Sequence, residues 1–161
     1  ISNENESFKN DLKILLIGKN DHTVAENINK AGLSGNTEYI RYLPHNEAIA
    51  RAAAAQVLLL PLNNTPNVLG ITTGKLFEYL ALKRPIFCIG PEKGDCARII
   101  YETNAGEVAD FDDKQKMKNI LKKYYEKYKN NELIVESKNL EKYSRKNLTA
   151  EISKLLDSIS S

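Results

Sequence analysis

The sequence predicts an α/β fold: a doubly wound parallel sheet of about five strands, with helices on both faces and further helices at the C-terminal end. Three observations predict it. Short apolar runs recur at 12–18, 57–61 and 86–89, most of them ending in Gly or Pro. Those runs are continuous rather than alternating, so both faces of each strand should be covered, as in a parallel sheet. Helical stretches separate them, so the chain reads β-α-β-α-β-α-β-α-β and then helix.

The elements follow in order. Leu12 to Gly18 is a buried strand. Thr23 and Glu26 have capping-box spacing and open a helix to about Ala31, which Gly32 and Gly35 end. Thr37 to Leu43 is a strand that Pro44 breaks. Glu47 to Ala55 is Ala-rich and helical. Val57 to Pro61 is a strand, followed by a polar loop from Leu62 to Thr72. Gly74 to Lys83 is a helix and Ile86 to Ile89 a strand. Asp95 caps a helix to about Thr103, and Glu107 to Ala109 is a short strand. Asp112 caps a long helix with Met117, Ile120, Leu121, Tyr124 and Tyr128 on its apolar face. Glu136 to Ile159 reads as helical, with Ile152, Leu155, Leu156 and Ile159 on one stripe.

Composition sets the class. The 161 residues are 42% hydrophobic and 27% charged, with a net charge of +2, ordinary values for a globular domain. No nucleic-acid partner is expected from that balance. Cys88 and Cys96 are the two cysteines. They are too few for a disulfide framework or a zinc site and read as buried thiols of a cytoplasmic protein. No apolar run is long enough to span a bilayer. Residues 1–11 form a polar, acidic segment unlike a signal peptide. Residues 12–161 are expected to form one domain. The chain opens on Ile1 rather than Met, which reads as a fragment of a larger protein.

Ligands of such sheets bind at the carboxyl ends of the strands. That rule marks Gly18–His22, Leu43–Asn46, Leu62–Lys75 and Gly90–Asp95. The third is the most informative. A long loop leaves a buried strand and enters a helix through Thr72-Thr73-Gly74-Lys75. Free backbone N–H groups and the helix dipole favour an anion there, and Gly74 permits close approach. Lys75 sits where the dipole disfavours a cation, and a bound phosphate would reverse that sign. A plain Thr N-cap with a solvated lysine accounts for the same residues. Glu78 offers two acceptor oxygens to a ribose; alternatively it forms an i,i+3 surface pair with Lys75.

Other motifs are excluded or uninformative. Gly70 to Leu76 superficially resembles a P-loop, but it has one residue too few between its glycines, and Leu76 stands where Ser or Thr would hold Mg²⁺. No GxGxxG occurs, so a dinucleotide site is not expected. His22 and His45 follow strand ends and read as solvated side chains. No nucleophile with a recognisable partner and no spaced carboxylate pair is present. The basic stretch Lys114–Lys129, with Tyr124, Tyr125 and Tyr128, reads as a helix packed on the domain, with peripheral membrane contact the alternative.

The segment Thr73-Gly74-Lys75-Leu76-Phe77-Glu78-Tyr79-Leu80-Ala81-Leu82-Lys83-Arg84-Pro85-Ile86 resembles the signature of GT-B glycosyltransferases, family 4 in particular. There a Lys-Leu-x-Glu-Tyr-Leu-Ala helix precedes a short turn, Pro and a buried strand. The strand ending in Gly18, the stretch from Thr37 to Pro61 and Asn104-Ala105-Gly106-Glu107-Val108 fall in the family's order, over about residues 12–157. The resemblance implies a Rossmann-like half of a GT-B fold that binds a nucleotide-sugar donor, UDP-linked or GDP-linked. It implies that Glu78 binds the ribose and that Thr72, Thr73, Gly74 and Lys75 receive the diphosphate. Leu43 and Pro44 would face the base, and Gly18 and Lys19 would lie beside the phosphates. The implied reaction is hexosyl transfer, with retention and without metal or other cofactor, to a glycan or lipid-linked acceptor in bacterial polysaccharide synthesis.

Two departures bear on this. The family often has a second Glu eight residues before the ribose Glu, to contact the donor sugar; here Gly70 stands there. The family's half-domain also opens with a further strand and helix, and nothing before Leu12 matches them. The expectation is therefore a donor domain that lacks its acceptor-binding N-terminal half and is inactive alone. An open sheet edge would invite self-association. The full enzyme is expected in the cytoplasm, with room for peripheral contact at the inner membrane face. A UDP-sugar epimerase half of the same architecture and a non-enzymatic Rossmann-like module are the alternatives. A receiver domain fits poorly, because Gly18-Lys19-Asn20 and Pro61-Leu62-Asn63 replace its acidic residues.

Overall fold

The apolar run Ile14-Leu15-Leu16-Ile17 forms the first strand, β1 (Ile14–Ile17), as its composition requires. A computed structural model describes residues 1–159; residues 160–161, the end of the expected domain, lie outside the described residues. The chain divides into two compact units, Ile1–Ala54 and Ala55–Ser161.

In the first unit, α1 (Glu6–Asp11) precedes β1, and then come α2 (His22–Lys30), a 3₁₀ turn (Ser34–Asn36), β2 (Thr37–Ile40) and α3 (His45–Ala54). The two strands are parallel, with Ile14 opposite Thr37 and Ile17 opposite Ile40. The residues 1–11 expected as a bare polar segment contain α1. Its N-cap Asn5 accepts from the Phe8 N–H, and Phe8 is buried. Asn36 holds the far end, donating to the carbonyls of Lys9 at 2.8 Å and Leu12 at 2.9 Å. The cap of α2 is Asp21, which accepts from the Thr23 N–H at 2.9 Å, and not the expected Thr23. That bond holds the Asp21 carboxyl below its ordinary pKa. Strand β2 stops at Ile40 rather than Leu43, and α3 begins directly after Pro44 rather than at Glu47.

The second unit runs β3 (Leu58–Pro61), a 3₁₀ turn (Val68–Gly70), α4 (Gly74–Leu82), β4 (Ile86–Ile89), α5 (Asp95–Glu102), β5 (Gly106–Ala109), α6 (Lys114–Lys129), a second 3₁₀ turn (Leu140–Tyr143) and α7 (Arg145–Ile159). All pairings are parallel, in the order β3-β4-β5. Alternation along β4 separates two buried clusters. Ile86 and Cys88 join Leu60, Leu76, Leu80, Ile100 and Val108 from α4, α5 and the neighbouring strands. Phe87 joins Ala109, Ile120 and Tyr124, so α6 covers the other face. Helices on both faces of a parallel sheet are thus present in this unit.

The expected single sheet of about five strands is corrected. The described strands form a two-stranded sheet, β1-β2, and a three-stranded sheet, β3-β4-β5. The expected cover on both faces of every strand is corrected too: β1 is only half-buried along its length and Leu59 of β3 is 47% exposed, because an apolar run specifies a strand but not its neighbours, which long-range pairing decides. Three boundaries also shift. Gly94, not Asp95, is the cap residue of α5, and Asp113, not Asp112, caps α6 through the Lys116 N–H. The expected helix from Glu136 begins only at Arg145. Before it the chain is captured by long-range bonds: Asn104 Nδ2 donates to the Glu136 carbonyl at 3.1 Å and the Lys138 N–H to the Thr103 carbonyl at 3.0 Å.

Candidate functional site

The loop from β3 to α4 starts on a fixed point. The Leu62 N–H extends the ladder to the Ile89 carbonyl at 2.9 Å, and further backbone bonds, Val68 to Thr65 and Gly70 to Asn67, fold the loop tightly. Thr73 then caps α4. Its backbone is extended, and its hydroxyl accepts from the Leu76 N–H at 3.3 Å. Leu76 and Leu80 anchor the helix in the core, and Lys83 ends it in the left-handed conformation at φ 52°.

That anchoring fixes which residues face water. Thr72, Gly74, Lys75 and Glu78 are exposed and Thr73 is half-buried. The surface pair that would account for Glu78 simply is not formed: among the described residues neither Lys75 nor Glu78 has a side-chain hydrogen bond or ion pair. Glu78 raises the pKa of the neighbouring Tyr79 hydroxyl, after burial, which is the larger cause. All five residues predicted on this segment therefore lie together at one helix start.

The residues predicted in the first unit lie at the carboxyl ends of its two strands. Gly18 continues β1 by donating to the Ile40 carbonyl at 2.9 Å, at a φ of +106° that L side chains rarely adopt. Lys19 is exposed, as is Pro44, and Leu43 is half-buried. His22 and His45 open α2 and α3 as exposed residues; the ring of His22 lies 3.2 Å from the Asp21 carboxylate.

The turn from β4 into α5, the last of the four strand ends expected to face a ligand, packs closely on the β3–α4 loop. A Cβ built on Gly90 would stand 2.7 Å from Leu62 Cδ1, and one on Gly94 3.2 Å from the Leu69 carbonyl oxygen. The thiols of Cys88 and Cys96 are both buried and free. Burial pushes Cys88 up to about 12, with Cys96 a smaller cause. Burial also raises Cys96, against the lowering effect of the Thr73 N–H.

A shallow pocket of about 130 Å³ opens at the amino ends of β4 and β5, beside Pro85, Asn104, Glu107, Lys123, Lys127 and Glu136. It contains none of the predicted residues and lies at the end of the sheet opposite the one where ligands of parallel α/β sheets bind. Among the described residues no group of three or more His, Cys, Asp and Glu could hold a metal ion, and no helix is long and apolar enough to cross a membrane. No protein-family model, curated protein or solved structure matches the chain.

Proposed function

We propose that this chain is the donor-binding half of a GT-B glycosyltransferase. In this reading the diphosphate of a nucleoside diphosphate sugar sits at the amino end of α4. One observation carries the reading: an exposed helix start whose cation, Lys75, and carboxylate, Glu78, are both uncommitted. The Gly74 and Lys75 amides and the positive end of the helix dipole attract the phosphates. Lys75 adds a full charge, and Glu78, one turn on, accepts from the ribose hydroxyls. During transfer, negative charge grows on the leaving diphosphate, and preoriented amides and Lys75 stabilise it most when that charge is greatest. No step calls for a metal or other cofactor. The full enzyme passes the sugar to a glycan or lipid-linked acceptor, working in the cytoplasm or at the inner membrane face.

Titration calorimetry with UDP and with GDP tests this. One of the two should bind with a dissociation constant of roughly 1 μM–1 mM, the usual range for enzyme substrates. No heat and no amide chemical-shift change at Gly74 or Lys75 with either nucleotide would sink the reading.

A further inference from the structure

The last helix carries an apolar stripe that its own unit leaves uncovered. Leu148, Ile152, Leu155 and Ile159 follow one another at spacings of four, three and four. They therefore share one side of α7, and Leu156 flanks them. These five side chains are 41–72% exposed, and no α7 residue is buried. The helix is fastened to its unit by another side. The Asn147 side chain donates to the Glu141 carbonyl at 2.9 Å, and Asn147 stands about 140° around the helix from Ile152. A helix of this length draws most of its stability from packing its apolar face, so the stripe calls for an occupant.

The charges on α7 indicate which. Arg145 stands seven residues before Ile152, at the head of the stripe, and Lys146 follows it. The first turn holds no acidic residue and the last no basic one, while Asp157 lies in the last turn. Each end is thus charged against the helix's own dipole. A second α7 lying antiparallel reverses this at Arg145, which then meets the negative carbonyl end of the other copy. The apolar residues meet in layers, Leu148 against Ile159 and Ile152 against Leu155. A parallel copy would bring two Arg145 side chains together on the seam. A lipid surface fits less well: the polar side mixes Lys146 and Lys154 with Glu151 and Asp157, and α7 has no aromatic residue, unlike helices that lie in membrane interfaces.

We propose that α7 is a self-association surface, along which two copies of this chain pair antiparallel through Arg145, Leu148, Ile152, Leu155 and Ile159. The surface shares no residue with the α4 start and does not depend on what binds there. A helix of 15 residues is about 22 Å long, so the interface is small and the dimer weak and reversible.

Sedimentation equilibrium of the intact chain between about 10 μM and about 1 mM tests this, the range of a weak dimer. Wild type should pass from monomer to dimer across it. Ile152→Glu puts a charge in the seam and should weaken the dimer tenfold or more. Ala150→Glu places the same charge about 160° away on the helix and should leave the dimer unchanged. Arg145→Ala should weaken it about two- to fivefold, the scale of one charge at a helix end, although the same change favours the isolated helix. All three positions are exposed, so thermal melts of the dilute variants should match wild type. A monomer at about 1 mM overturns the proposal. So does a dimer that Ile152→Glu leaves intact, or that both Glu variants disrupt equally. A dimer tightened by Arg145→Ala is parallel and overturns the antiparallel pairing. A chain that stays monomeric but sediments with phosphatidylglycerol vesicles, and ceases to as Ile152→Glu, overturns it in favour of lipid.

Discussion

Gly106 lies so close to Ile86 that a Cβ built on Gly106 would stand 1.9 Å from the Ile86 carbonyl oxygen. The two are register partners on β5 and β4, and Ile86 is fully buried. The clash is with backbone, so no rotamer change relieves it. Gly106→Ala should therefore cost more than ordinary overpacking, about 3 kcal/mol or more, or prevent folding. Urea unfolding of the variant measures this. A midpoint close to wild type would mean that β5 slides away from β4 without loss.

The Thr73 cap is a smaller effect with a clear control. Its hydroxyl accepts from the Leu76 N–H at 3.3 Å, an amide that the Thr73 carbonyl shares at 3.1 Å. Thr73→Ala should destabilise the fold by about 1 kcal/mol, and Thr73→Ser should recover most of it. Equal stability of the three proteins in urea would show that water replaces the cap.

Glu102 ties the 3₁₀ turn Leu140–Tyr143 to α5 and should make that attachment pH-dependent. Lys142 donates to one oxygen of its carboxylate at 2.6 Å and the Tyr143 hydroxyl to the other at 2.7 Å. These bonds, Lys142 first, hold the Glu102 carboxyl below its ordinary range, and Glu102 in turn raises Lys142. A lowered carboxyl contributes stability that is complete above its unfolded pKa and is lost as pH falls through the folded value. A raised lysine contributes below its unfolded pKa and loses the contribution as pH rises through the folded one. The stability gap between wild type and Glu102→Gln should hold near pH 7 and close below about pH 4. Thermal melts across that range read it, and a gap independent of pH would assign Glu102 a packing role only.

How far the sequence shows these features depends on whether the cause is local. Helix α4 was legible to within a residue, because its cap, glycine and apolar spacing are adjacent in the chain. Four of the five strands were found within about two residues for the same reason; β2, which stops three residues short of the expected Leu43, was not. Helix α1 was missed because Phe8 is a lone apolar residue in a polar segment, and the stabilising Asn36 comes from 27 positions away. The extended stretch before α7 was misread because Thr103 and Asn104, distant in sequence, capture its backbone. The split into two sheets was invisible for the same reason: an apolar run says that a strand forms, not which edge it meets or what covers it. At the site, the set Thr72, Thr73, Gly74, Lys75 and Glu78 was legible, but the close approach of Leu62 to Gly90 and of the Leu69 carbonyl to Gly94 was not, since it joins two loops.

Substitutions at Lys75 and Glu78 separate the parts of the proposed ligand. Both side chains are exposed and uncommitted, so replacing them should leave stability within about 0.5 kcal/mol of wild type. Lys75→Ala removes a charge beside the phosphates. It should weaken UDP and pyrophosphate alike by about tenfold or more, as loss of a charge-assisted bond does. Glu78→Gln keeps the shape but replaces one acceptor oxygen with a donor. It should weaken UDP by a similar factor while leaving pyrophosphate unchanged, because pyrophosphate has no ribose. Added salt should shrink the Lys75→Ala effect more than the Glu78→Gln effect, since the first is mainly the loss of an exposed charge. If both variants weaken pyrophosphate equally, Glu78 does not bind ribose and the register of ligand on helix is wrong. If neither variant changes UDP affinity while wild type binds it, the nucleotide sits elsewhere on the chain and the α4 start is an ordinary capped helix.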